Sequence, residues 1–452
     1  MPIRDLGLLI FFIASLPICF VRPFYGILMW MIVAFLNPQS YIWGPASFFP
    51  WGEAVAIPTL AGFLFFSRGW MGRLISREVL LIVVLWVWFT ITSVISTNTP
   101  FFMHHAADTW ARWIFVSKVL LMVLVTVAMV DSMARLRILV LTIAGCFGFF
   151  VAKSFPFIVV TGGAYRLYGP ENSMIADNND FGLALNMTLP LFFFLAQTES
   201  KLWVKRLFGG LFIITIPAVF FTYSRGALLG LAVVSFLMFL RLQMQQRLLL
   251  IPVVLAGIIV ALLFAPEKWK ERMDFSNSSQ VVDASARERL NAWAFSRHLA
   301  ADYPLTGGGF ATFTPELFAR YAPNGVDIHG PHSVYFGVLA EHGYTGLALY
   351  LTLVLSCFAT ARKLAREARD RGDDLVLNYI HMFRFSIVGF LTSGFFLGRA
   401  YFDYFFTVVA CLTILARVAR QEWMSADEEG EESEVDDAGE GESILPEHGA
   451  YA

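Results

Sequence analysis

The chain has 452 residues, 57% of them hydrophobic and only 15% charged, with a net charge of -2. Soluble domains carry about 25% charged residues, so there are too few charges to coat two or three soluble domains, and a soluble globular protein is excluded. The apolar residues come in blocks, and 45 Phe with 12 Trp suit lipid-facing helices and interfacial belts: the chain reads as an all-α polytopic membrane protein.

The first apolar block, residues 6–36, lacks a small-residue cleavage site and is followed by many others, so it reads as a membrane segment. Arg22-Pro23 interrupts it. Further blocks that cross, or nearly cross, a hydrocarbon core of ~30 Å lie at about 54–66, 79–96, 113–130, 136–152, 181–196, 207–222, 226–240, 248–264, 334–358, 379–397 and 402–416. Lys and Arg alternate between the connections. Eighteen fall in one set, among them Arg4, Arg68, Arg73, Arg77, Lys201, Arg241, Arg362 and Arg417, and five in the other: Arg112, Lys153, Arg166, Arg225 and Arg399. The richer set is cytoplasmic by the positive-inside rule, and with Arg4 inside, residues 6–36 cross once as a kinked or partly re-entrant element. The expectation is about twelve transmembrane helices with both termini cytoplasmic; a thirteenth would put the N-terminus outside. Cys19, Cys146, Cys357 and Cys411 all sit in apolar blocks and read as packing residues.

Residues 1–180 are expected as N-terminal transmembrane helices and 181–420 as a transmembrane core. That core includes one long, partly helical outer loop at 265–333. Residues 421–452 read as a disordered cytoplasmic tail, with eleven acids and no Lys or Arg between 427 and 447. Within the loop, residues 285–299 have helical apolar spacing, and Pro304 with Gly307, Gly308 and Gly309 ends that helix. A long ordered outer loop is usually functional. In a Gram-negative inner membrane the outer face is the periplasm, where no nucleotide is available, so a transferase there needs a donor already activated and lipid-linked.

Four polar clusters carry candidate chemistry. Arg225 follows Tyr223-Ser224 between two apolar spans: it is either a snorkelling residue at a helix end or part of a narrow site where Gly226 and Gly230 let helices approach. Arg287, Arg289 and Arg297 surround Trp293, as in an amphipathic helix lying on the membrane, or as guanidiniums aimed at a diphosphate, whose oxygens their forked donors match. His332 follows Gly330-Pro331 at a helix start, whose partial positive charge favours neutral imidazole and keeps a base available; a structural hydrogen-bonder is the bland alternative. His329 and His332, split by Gly-Pro with no cysteine or near carboxylate, make a poor zinc pair, and no metal is expected. Asp177-Asn-Asn-Asp180, with Arg166 upstream, fits a helix cap, a role that falls to Asp180.

Ser224-Arg-Gly-Ala227, Arg289-Leu-x-x-Trp293 followed by Pro304-Leu-Thr-Gly-Gly-Gly-Phe310, and His332-Ser-x-x-x-x-x-Leu-x-Glu-x-Gly-x-x-Gly346 occur in that order over residues 180–400. Together they resemble the O-antigen ligase and polymerase superfamily of inner-membrane glycosyltransferases. The N-terminal portion, with Pro38-Gln-Ser-Tyr-Ile-Trp43, resembles O-glycosylation ligases of exosortase-associated loci. The resemblance implies transfer of a glycan from undecaprenyl diphosphate, most specifically O-antigen to lipid A-core, without cofactor, metal or nucleic acid. By position it makes His332 the general base and Arg225 and Arg289 the diphosphate holders, with Arg297, His329, Glu341, Arg166 and Asp180 as supporting candidates. A polymerase or a protein O-glycan ligase would share the site and differ in acceptor. A flippase for the same lipid would more typically show discontinuous helices and internal repeats, and no repeat is found.

Overall fold

Arg22 adopts a non-helical backbone (φ -130, ψ 79), and Pro23, with no N–H to give, starts a new helix. The block at 6–36 therefore divides into α1 (Ile3–Val21) and α2 (Pro23–Met31), the latter continued by a π-helical turn at Ile32–Leu36. α3 (Trp51–Phe66) packs on both. Phe12 meets Trp51 and Phe20 meets Phe66, so α1 and α3 run in the same direction. Trp30 lies beside Gly52 and Thr59 beside Gly26, so α2 runs back between them. This corrects the expected single crossing of residues 6–36: the non-helical Arg22 followed by proline makes a hairpin instead of a kink. The start of α1 consequently lies at the end of the bundle opposite Arg68.

The computed structural model describes residues 3–42, 44–242, 266–273 and 280–441, with a few isolated positions between 244 and 251; the span expected at 248–264 lies outside them. After the short α4 (Trp70–Arg73) come α5 (Arg77–Asn98), α6 (Ala106–Met129), α7 (Met133–Thr161), α8 (Asn178–Thr198), α9 (Leu202–Phe220) and α10 (Arg225–Phe239). The loop region contributes α11 (Glu267–Met273), α12 (Gln280–Asp302) and α13 (Pro315–Tyr321), and the chain closes with α14 (Val334–Asp370), α15 (Asp374–Gly394) and α16 (Asp403–Gly441). No strand occurs among the described residues. Among the described residues, eight helices are long and apolar enough to cross a bilayer, with three shorter apolar ones at Pro23–Leu36, Trp51–Phe66 and Arg225–Phe239. The chain is an all-α, multi-pass membrane protein.

α8 is the central post, buried along most of its length against α9, α10 and α15. At the other extreme Val160 is 85% and Phe65 78% exposed; apolar side chains bared to that degree suit lipid, not water. One end of the bundle is closed by arginine. Arg417 donates to the backbone oxygens of Arg73 and Val127, Arg73 pairs with Asp131 at 3.2 Å, Arg137 with the buried Glu199, and Arg371 with Asp427 at 2.7 Å. α16 continues through these contacts to Gly441, so residues 421–441 are helical where composition reads as a disordered tail; residues 442–452 lie outside the described ones. The seven Glu of residues 421–441 favour helix while the three Gly and three Asp there do not, so the extension leans on the packed turns at 403–420, from which a helix grows without a new nucleus.

Candidate functional site at the end opposite the arginine-rich turns

The tight turn from α9 to α10 puts Tyr223 in the left-handed region (φ 59), and Ser224 caps α10 by accepting from the Ala227 N–H at 3.2 Å. Arg225 is thereby the first residue of α10. The two glycines that follow do what their spacing predicts: a Cβ on Gly226 would meet Phe396 at 3.0 Å, and one on Gly230 would press on Asn186 and Ser393. Asn186 in turn donates to the Ala227 oxygen at 2.7 Å and to Ser393 at 3.0 Å. Arg225 therefore stands on a helix wedged between α8 and the end of α15.

Arg289 arrives from α12. The inner face of that helix, Ala292, Phe295 and Leu299, packs on Leu317, Phe318 and Tyr321 around α13. Trp293 stacks on Phe336 at 4.8 Å and donates to the Pro331 oxygen at 2.9 Å. These contacts commit the aromatic side of α12 to protein and tie the helix directly to the backbone beside His332. Arg289 is partly buried, with an Nε that has no hydrogen-bond partner. Burial, and then the charge of Arg225, hold its guanidinium below the usual arginine range; it stays a cation at neutral pH.

His332 itself has φ 40, a strained conformation for a residue with a side chain. Gly398 packs beside it, where a Cβ would lie 3.5 Å from the His332 nitrogen, an ordinary van der Waals contact. Crowding by surrounding protein, then the charges of Arg289 and His329, hold its pKa below the ordinary histidine value, against the opposing pull of Asp177 and Glu288. The imidazole is thus neutral at pH 7 and able to take a proton. Next to it Ser333 precedes α14 with a buried hydroxyl that has no partner.

Arg225, Arg289 and His332, more than a hundred residues apart at the extremes, are therefore near enough for the charge of each arginine to bear on its neighbour in the chain Arg225–Arg289–His332. Two close guanidiniums at a helix N-terminus favour an anion between them. The supporting candidates divide. His329 joins the cluster but bonds Asp327 at 2.6 Å, a near carboxylate where the sequence reading expected none. Asp180 pairs with Arg399 at 2.5 Å, and the α8 cap is Asp177, whose Oδ1 accepts from the Asn179 N–H at 2.8 Å, so the cap expected of Asp180 moves three residues upstream. Arg166 lies over the Tyr223 ring at 6.0 Å, lining a cavity of about 560 Å³ with Tyr165, Tyr168 and Lys268. Arg297 is exposed and is not among the charges bearing on Arg289 or His332.

Glu341 lies deeper. Its carboxylate accepts from the Tyr401 hydroxyl at 2.5 Å and the Ala311 N–H at 3.1 Å. α14 breaks at Gly343 (φ 68), and the loop docks on the break: Gly308 and Gly309 donate to the oxygens of Ala340 and Glu341, each at 2.9 Å, and Tyr344 donates to Pro304 at 2.8 Å. The triple glycine is a clamp that fastens the segment carrying α12 and α13 to the bundle. Arg399 and Glu288 are participants the sequence did not single out; only the fold brings them to Asp180 and His332.

Comparison with known families fits this geometry. Residues 3–200 match a family of unknown function, which leaves the likeness of that portion to exosortase-associated ligases an expectation. No curated protein matches the chain. Residues 210–351, which hold Arg225, Arg289, His332 and the glycine clamp, match the O-antigen ligase family, a likeness of this domain that supports the O-antigen ligase superfamily and a glycosyl-transfer type of enzyme in general.

Proposed function

We propose that the protein transfers an O-antigen glycan from undecaprenyl diphosphate to lipid A-core at the outer face of the inner membrane. His332 removes the proton of the acceptor hydroxyl. The freed oxygen attacks the anomeric carbon as the bond to the diphosphate oxygen breaks, and that electron pair departs with undecaprenyl diphosphate, whose growing charge Arg225 and Arg289 meet. A single displacement inverts the anomeric centre. The observation that carries this reading is the convergence of a neutral imidazole with two mutually repelling guanidiniums, which suits an acceptor base beside a diphosphate. Sidedness follows the charge distribution: the arginine-rich end is cytoplasmic, the site faces the periplasm, and the start of α1 shares the site's side.

The test is reconstitution of the purified protein with undecaprenyl-diphosphate glycan and lipid A-core. Ligation moves one glycan chain to the core, with wild type active and His332→Ala inactive though equally well inserted. Chains that lengthen on the carrier with no product on the core would replace ligase by polymerase, and transfer by His332→Ala at the wild-type rate would remove the base.

A further inference from the structure

At the arginine-rich end, far along α8 from its Asp177 cap, a second cavity of about 440 Å³ opens among α8, the end of α10 and the first turns of α15. Phe193, Phe194 and Leu377 form an apolar wall; Arg241, Asn378 and His381 supply polar groups. His381 is 3% exposed, and neither ring nitrogen has a hydrogen-bond partner. A buried polar group left unmatched costs free energy, so this imidazole waits for something the protein does not itself provide. One turn on, Arg384 has a buried Nε that is likewise unpartnered. The charges of Arg384 and Arg369 both bear on Arg241 and on His381, and no carboxylate of the described residues appears among the charges acting on either.

The surrounding turns make that imbalance specific. Arg73, Arg137, Arg371 and Arg420, at the same end, each have an acidic partner. Around His381, by contrast, Arg241, Arg384 and Arg369 gather, and among the described residues no carboxylate is one of the charges acting on the imidazole. A like-charged cluster against an apolar wall, at the end of transmembrane helices, has the chemistry of an anionic lipid headgroup site: the phosphate answers the arginines and histidine, and acyl carbons cover the phenylalanines and leucine. The volume is far more than the ~30 Å³ a single water occupies and falls in the range of small-molecule sites.

We propose that the cavity lined by Arg241, Asn378 and His381 binds the phosphate headgroup of an anionic phospholipid in the leaflet at the arginine-rich end. The site is separate from the Arg225–Arg289–His332 cluster, and the inference does not depend on the reading of that cluster. Full-length protein, delipidated in detergent, is titrated by native mass spectrometry with phosphatidylglycerol, with phosphatidylcholine and with inorganic phosphate. Phosphatidylglycerol should bind about tenfold more tightly than phosphatidylcholine, and Arg241→Gln/Arg384→Gln should lose that preference, since each charge-assisted contact is worth roughly a factor of ten in affinity. Arg362→Gln, which removes an exposed charge from the same end outside the cavity, should bind like wild type. Arg241→Gln alone, at an exposed position, reports the same loss in smaller degree if the double variant does not fold. Equal binding of both lipids, an unchanged preference in the Arg241 variants, or an equal loss in Arg362→Gln would overturn the proposal. Displacement of phosphatidylglycerol by an equal concentration of inorganic phosphate would make it a site for a free anion and overturn the lipid assignment.

Discussion

At the scale of single residues, guanidinium geometry is the property to test. Lysine keeps the charge of arginine but not its fork, so Arg225→Lys or Arg289→Lys should lower transfer about 10-fold or more, the effect of weakening one charge-assisted contact worth about 1.5–3 kcal/mol. Arg287 is the internal control: it is exposed on α12 and displaced by about 200° from Arg289, and Arg287→Lys should do little. Equal damage from Arg287→Lys would indicate diffuse attraction to anionic lipid in place of a diphosphate clamp. The same neighbourhood sets a pH dependence. Because the folded pKa of His332 is held below the ordinary 6.5, the basic form persists as pH falls, and the acid limb of kcat/KM should lie below 6.5. Removing a positive neighbour by Arg289→Gln relieves part of that depression and should move the limb to higher pH. A limb that stays in place in Arg289→Gln would mean that Arg289 does not act on the titrating group. The motifs around Arg225, Arg289 and His332 were legible in the sequence because each is local. The pairing of Asp180 with Arg399 was not, because 219 residues separate the partners and nothing in either segment refers to the other.

At the scale of elements, the loop is held by a break in a helix. Gly343 leaves the helical region, which frees backbone oxygens of α14 to accept from Gly308 and Gly309, and Glu341 closes the joint through Tyr401 and Ala311. Glu341→Ala leaves the Tyr401 hydroxyl and the Ala311 N–H buried without their acceptor, and should destabilise the protein by about 1–3 kcal/mol. A lowered melting temperature in detergent, with the loop more open to protease, is the expected result; an unchanged melt and protease pattern would show that the clamp rests on the glycines alone. The sequence marks Pro304–Gly309 as a helix stop but cannot say where the stop docks, since its partner is a helix that reads as continuous. The tail is the contrary case, because composition reads as disorder and the structure extends α16 to Gly441. Its one described ion pair beyond Trp423, Arg371 with Asp427, is exposed on both sides, where solvent screens the attraction and little stability rests on it. Truncation after Trp423 should therefore leave transfer near wild type, while a large loss of turnover in a well-folded truncation would give the tail a role of its own.

At the scale of the whole molecule, composition alone fixed the solvent, and the alternation of Lys and Arg correctly gathered the basic turns at one end of the bundle. For the N-terminus a single arginine, Arg4, carried that argument, whereas direction along α1 is set by packing: Phe12 on Trp51, Phe20 on Phe66, and α2 returning past Gly26 and Gly52. Moving Arg4 to the sparse end leaves seventeen basic residues against six, so the positive-inside bias survives the extra leg. The two chain ends should then lie on opposite sides of the membrane. The four native cysteines are buried, so a single introduced thiol reports its own position. Arg4→Cys and Ala426→Cys both stand at exposed sites. A membrane-impermeant maleimide applied to intact spheroplasts should label Arg4→Cys and spare Ala426→Cys until the membrane is broken. Both thiols protected until lysis would return α1 and α2 to a single crossing and would require that the hairpin at Arg22-Pro23 open out in the bilayer, abandoning the contacts of α3 with both legs.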